Sequence, residues 1–299
     1  GDSSLFNEGR LWLQKETGIP VVGVMPWINE IFPAEDSLDL LERTGKKLKT
    51  DIEIVVINLP SISNFSDLDP LEAEPSVQLT WIEPGDFLGQ PDAVIIPGSK
   101  QTLRDLDQLK KSGLAEQVKT SVQKGGNLFG ICGGMQMIGR SLEDPLGLES
   151  PEGRKSSRYI NGLDLLPIHT VFEPKKSVKE RRVIALWPEL TPLHGFELHH
   201  GKSQKIENNE KVMQLVKQEP GLGWFIESTR HGNIAGTYLH GIFENGAWRR
   251  LWLNQIRQTK GLTDLSLNEP NHSHRKEKLI DLLADIFEQH VDISPLLKG

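Results

Sequence analysis

A single cysteine in 299 residues is the first thing the sequence withholds. It cannot close a disulfide within the chain, and it suits a reducing compartment, so a cytoplasmic location is expected. No apolar run approaches the roughly 20 residues needed to span a membrane as a helix. The opening stretch, GDSSLFNEGRLWLQKETG, lacks the apolar core of a secretory signal, and no initiator methionine precedes it. That suits a processed product or a piece of something larger. Positive charge is not in excess. Lys and Arg number 34 against 41 Asp and Glu, a net charge of −7. A broad electrostatic grip on nucleic acid or an acidic membrane is therefore not expected, although a local basic pocket is still open.

Other absences narrow the chemistry. No G-x-x-x-x-G-K-[ST] phosphate loop occurs. Gly98-Ser99-Lys100-Gln101 is no substitute, because its lysine and spacing are wrong for wrapping phosphates. No His/Cys cluster has metal-ligand spacing, so no metal site is expected. His199 and His200 are neighbours on a predicted strand and face opposite ways. His272 and His274 fall in the polar stretch NEPNHSHRKEK, which reads as a solvated linker. There is no internal repeat and no low-complexity segment.

What remains is an ordinary soluble composition, 37% hydrophobic and 25% charged, long enough for more than one domain. Residues 5–17 read as a helix stopped by Gly18. IPVVGVMP (19–26) reads as a buried strand. This αβ unit has nothing before it, and it is expected to be the tail (1–34) of a domain whose front is missing. Residues 35–50 read as a charged linker. Strands are predicted at 51–60, 77–83, 92–99 and 127–132. Residues 61–76 are turn-rich. Leu103, Leu106, Leu114, Val118 and Val122 share helical spacing. The alternation predicts a doubly wound parallel α/β sheet. Residues 141–158 read as a polar loop, and 159–240 as hairpins or an antiparallel extension. Helical faces follow at Trp248–Ile256 and at 276–290. The main domain is expected at 51–258, with a C-terminal linker and helix at 259–299.

The cysteine lies in FGICGGMQMIG (129–139). A strand that ends in G-x-C-G-G and turns at once into a helix is a nucleophile elbow. The glycines are needed because a Cβ beside the turn would clash. A lone cysteine is more often a small buried hydrophobe, and the glycine context weighs against that for Cys132. At the start of a helix its thiolate is favoured. Attack on an amide also needs an acid for the leaving nitrogen and donors for the oxyanion. His240, at the end of NIAGTYLHG, is the acid candidate. The backbone N–H groups of Gly133 and of the PGS turn at 97–99 are the oxyanion candidates.

GICGGMQ, PGSKQT and GTYLHGIFEN together resemble the class I, triad-type glutamine amidotransferases. More narrowly they resemble the cobyric acid synthase branch of that family. VVGVMPWI, LPSISNFSDLDPLEAEP, GLDLLPIHTVFE and FELHHGKS extend the likeness over roughly residues 1–255. It implies a flavodoxin-like sheet and glutamine hydrolysis through a thioester. By likeness Cys132 is the nucleophile, His240 the acid/base, the backbone of Gly98 and Gly133 the oxyanion hole, and Gln136 a holder of glutamine. The ammonia would serve a synthetase domain using ATP and Mg²⁺. That domain would amidate four carboxylates (b, d, e and g) of adenosylcobyrinic acid a,c-diamide to give cobyric acid.

Two departures matter. Most triad amidotransferases carry Glu two positions after the histidine, and His240-Gly241-Ile242 does not. Glu197 and Glu244 are the candidate third residues, with a Cys–His dyad as the alternative. The phosphate loop is also missing, so this chain is expected to carry only the glutaminase half. Cobyrinic acid a,c-diamide synthase and a cell-wall amidotransferase are rivals within the branch. A redox or stress protein, a peptidase with an elbow cysteine and a binding-only relic are rivals outside it.

Overall fold

The computed structural model describes residues 6–28, 50–149, 157–206, 211–228 and 232–297. The expected linker at 35–50 lies outside the described residues except for Thr50. By packing, the chain divides into two compact units, 1–33 with 272–299, and 34–271. The boundary at 271/272 falls inside the C-terminal segment expected at 259–299.

Within the larger unit, strands in chain order are β1 Ile52–Ile57, β2 Ile62–Ser63, β3 Val77–Ile82, β4 Ala93–Ile96, β5 Gly98–Ser99, β6 Asn127–Ile131, β7 Gly139–Asp144, β8 Arg158–Asn161, β9 Leu166–Ala185, β10 Thr191–Lys205, β11 Met213–Gln214, β12 Gly223–Ile226, β13 Ile234–Thr237 and β14 Leu239–His240. The main sheet has the order β11-β12-β13-β6-β4-β1-β3. Its five strands from β3 to β13 run parallel. Numbered along the chain, those five stand in the flavodoxin-like order 2-1-3-4-5. β12 and β11 add an antiparallel edge. β4 and β6 are buried along their whole length. Continuous apolar runs such as AVII and IEIVVI suit strands covered on both faces.

The parallel core agrees with the expectation, and several elements differ. NIAGTYLH was expected in the antiparallel extension, but its β13 segment pairs parallel with β6. Gly236 allows this: a Cβ there would lie 2.6 Å from Met135 Cγ on the elbow helix. The polar loop expected at 141–158 is partly strand, because β7 runs through Asp144 and pairs with both β8 and β9. The elbow helix therefore stops at Ile138. LDLLPIHTVF and RRVIALW contribute to one strand, β9, which forms a long ribbon with β10. That ribbon belongs to a second sheet, β14-β10-β9-β7-β8, while β2 and β5 form a small sheet of their own. The helical spacing from Leu103 to Val122 is two helices, Thr102–Lys111 and Leu114–Gln123, broken at Gly113 with φ 79°.

One aromatic cluster anchors the helix Gly246–Thr259 to the strand that carries the cysteine. Phe129 of β6 meets Phe243, Trp248 and Trp252 with ring centroids 5.3 to 5.9 Å apart. Such tilted and edge-on contacts favour the ring quadrupoles. Beside it, Arg249 and Arg250 share the buried carboxylate of Glu74, each at 2.8 Å.

The smaller unit joins the two ends of the chain. Helix Asn7–Thr17 ends on Gly18, which is left-handed (φ 67°) with its N–H on Gln14 O. That is the usual glycine stop. The strand expected at 19–26 is only an isolated bridge, Gly23 with Val291. Asp292 N donates to Val22 O at 2.8 Å. Helix His272–His290 precedes that contact.

The packing around the elbow makes a test. A Cβ at Gly134 would overlap the Ile96 carbonyl oxygen, which cannot move without breaking β4. Gly134→Ala is expected to cost at least the 1–3 kcal/mol typical of overpacking. A urea midpoint equal to that of the unaltered protein would show that the helix has room to shift.

Candidate functional site

Three segments that follow the carboxyl ends of parallel strands converge here. Gly98 follows β4, Cys132 follows β6 and His240 follows β13. Ligand sites of open α/β sheets lie at this end.

Cys132 has φ 51° and ψ −109°, a conformation that L residues rarely adopt. Its N–H donates to Thr237 O at 2.7 Å, and Gln136 N–H returns to Cys132 O. The strained turn is thereby tied at both ends. Gly130 is small because a Cβ there would lie 2.6 Å from Met135 N. Gly133 is the first residue of the helix, so its N–H has no intrahelical acceptor. Cys132 is 6% exposed, and its thiol lies 3.6 Å from the Leu198 carbonyl oxygen.

His240 is fully buried. Its Nδ1 lies 2.7 Å from Asp67 Oδ2, and the other Asp67 oxygen accepts the Gly241 N–H at 2.8 Å. Asn64 also reaches Nδ1, at 3.1 Å. Phe196 stacks on the ring with centroids 5.2 Å apart. The ring's Nε2 is buried and makes no hydrogen bond. Burial alone would lower the pKa of the imidazole. The Asp67 carboxylate and the Cys132 side chain outweigh it and raise the value to about 10. Gly98 backs onto the same ring: a Cβ built there would lie 3.5 Å from His240 Cε1.

The carboxylate on the ring is therefore Asp67, which the sequence reading did not single out. Glu197 faces elsewhere for a geometric reason. Phe196 is the register partner of His240, and the next residue of a strand points to the opposite face. Glu197 instead binds Arg181, Ser177 at 2.8 Å and His199 at 3.2 Å. Burial works against its charge, but His199, Arg181 and Ser177 hold its pKa down at about 2. Glu244 sits in the turn Ile242–Glu244, and its N–H donates to Gly241 O.

Gln136 lies inside a buried polar chain. Its Nε2 donates to Tyr238 OH at 3.0 Å, Ser203 Oγ meets that hydroxyl at 2.6 Å, and Thr170 meets Ser203 at 2.7 Å. Burial pushes the Tyr238 phenol up. The His199 ring stacks on Tyr238 with centroids 3.6 Å apart. Asn64, Asp67, Phe196 and Tyr238 all went unassigned in the sequence. The nearest signal for Asp67 was the run SISNFSDLDPL, where Asn64 at φ 50° starts the short 3₁₀ turn Phe65–Leu68. Among the described residues no helix is long and apolar enough to cross a membrane, and no group of three or more His, Cys, Asp or Glu could hold a metal ion.

The model of the CobB/CobQ-like glutamine amidotransferase domain matches residues 53–248. Among curated proteins, a cobyric acid synthase of Prochlorococcus marinus (strain MIT 9313) is 59% identical over 99% of this chain and 59% of its own length. One from Synechococcus sp. (strain CC9605) is 54% identical over 100% of this chain and 58% of its own. One from Parasynechococcus marenigrum (strain WH8102) is 54% identical over 100% and 59%. The chain thus spans about three fifths of the length of these relatives.

The charged His240 contributes to folding with a definite sign. Its pKa rises from 6.5 to about 10 on folding. The contribution is therefore complete below about pH 6.5 and is lost as pH climbs through 10. In urea unfolding, the stability difference between the unaltered protein and His240→Gln should shrink steadily from pH 6.5 to 10. A difference independent of pH would contradict the Asp67–imidazolium pair.

Proposed function

The chain belongs to the CobB/CobQ-like glutamine amidotransferase domain family, and on that footing we propose that it is the glutaminase half of a cobyric acid synthase. The observation that carries this reading is the buried contact of Asp67 with His240 beside the elbow cysteine. Cys132 Sγ, its proton passed to His240 Nε2, attacks the carboxamide carbon of glutamine. Nδ1 stays with Asp67, so Nε2 is the nitrogen that moves protons. It gives its proton to the departing nitrogen as ammonia leaves and the glutamyl thioester forms. It then takes a proton from the water that releases glutamate. The N–H groups of Gly98 and Gly133 stabilise the oxyanion in both steps. Gln136 helps to hold glutamine. Asp67 is a positioning residue that acts through the ring, in place of Glu197, whose carboxylate is held by Arg181.

The ammonia then serves ATP-dependent amidation of the b, d, e and g carboxylates of adenosylcobyrinic acid a,c-diamide. The similar proteins are named cobyric acid synthases, which supports cobyric acid as the product. ATP and Mg²⁺ do not fit the residues in hand. The sequence holds no phosphate loop, and the described residues hold no ligand cluster for a metal. No step here runs through them. Their site is proposed to lie in the synthetase domain that uses the ammonia.

A glutamine-analogue label, 6-diazo-5-oxo-norleucine, should modify Cys132 in the chain or in its full-length parent. Glutamine should protect the site, and Cys132→Ser should abolish labelling. Absence of the adduct in both proteins would sink the reading. Asp67→Asn should lower kcat by on the order of a hundredfold or more with little change in KM. It should also move the alkaline limb of activity to lower pH, whereas Glu197→Gln should leave that limb in place. Wild-type kcat in Asp67→Asn would remove Asp67 from the mechanism.

A further inference from the structure

A cleft of about 690 Å³ opens between the β9–β10 ribbon and the turn before β12. That volume suits a small-molecule ligand. Cys132 and His240 are not in its walls. Lys175, Lys176, Lys179, Lys202 and Lys205 are. Among the described residues, none of these five ammonium groups has an ion-pair partner. Arg181 also lines the cleft, but it is neutralised by Glu197 and Glu219. A chain with net charge −7 thus places five unpaired lysines around one concavity.

Exposed lysines on a strand often only protect its edge from pairing with another chain. Two features here go beyond that. The ribbon carries a register shift between His199 and Gly201, and lysines of both its strands border one hollow. The hollow also has a polar floor: Tyr238 and Ser203 line it, both buried and already bonded to each other. Concave positive walls focus the field and raise the local concentration of anions.

We propose that this cleft binds a small polyanion bearing two or more carboxylate or phosphate groups, at a site separate from Cys132. Its floor is one hydrogen bond from Gln136. Binding there needs none of the glutaminase chemistry.

The test is calorimetric titration of the full chain with inorganic tripolyphosphate and, separately, with propane-1,2,3-tricarboxylate. Ionic strength is fixed at about 0.15 M, where diffuse surface attraction is screened beyond ~8 Å. At least one probe should bind saturably, one per chain, and the stronger probe identifies phosphate or carboxylate as the ligand chemistry. The double variant Lys179→Glu/Lys202→Glu should weaken that binding by about tenfold or more, equivalent to ~1.4 kcal/mol. Lys124→Glu, outside the cleft, should leave it unchanged. All five lysines are exposed, so the variants should keep the circular dichroism of the unaltered chain. Three results would overturn the site: no saturable binding of either probe, binding indifferent to the double variant, or equal weakening by Lys124→Glu.

Discussion

The two oxygens of Asp67 close the site. One holds the imidazole of His240, and the other holds the amide of Gly241. The partners stand 173 and 174 positions apart, so a single carboxylate fastens the 3₁₀ turn after β2 to His240 of β14 and the glycine that follows it. Hydrogen bonds of this kind gain strength where water is excluded. An unpaired buried imidazolium would instead be costly. Burial and pairing therefore oppose each other at His240, and pairing wins. The same ring stacks on Phe196 and approaches Gly98.

The elbow shows a second balance. Cys132 keeps a backbone conformation that costs about 1–3 kcal/mol, and the surroundings over-determine it. The Thr237 carbonyl holds the strand side, Gln136 holds the helix side, and Gly130 and Gly134 let the helix approach the sheet. The aromatic cluster on Phe129 fixes the strand from below. Rigid scaffolding of this sort lets one strained residue persist.

Whatever was local in sequence was legible. IEIVVI and AVII read as buried parallel strands because their apolar runs are continuous. Cys132 read as an elbow because its glycines are adjacent. Features set by distant partners were not legible. Asp67 sits in a turn-rich run whose shape is fixed only when β13 arrives beside it. Glu197 looked suitable by type and position, yet strand alternation points it to Arg181. GRSLED lacks β-branched residues, and β9 supplies the pairing that makes it a strand. IPVVGVMP has the composition of a strand, but among the described residues it finds only a bridge at Gly23. The third residue was open because the motif specifies only the positions next to the histidine, while the carboxylate comes from another strand's loop.

The contact of Gly23 with Val291 has a consequence for synthesis. The first helix leaves the ribosome ahead of the larger unit, with Leu11 and Trp12 exposed even in the finished fold. The β-bridge partner of Gly23 comes 268 residues later. At about 5–20 residues per second, that interval is on the order of tens of seconds. The intervening unit can fold on its own contacts during that time, while the smaller one must wait for Val291. A stop codon even a short way upstream of Val291 would leave the larger unit's contacts intact and the smaller one unmade.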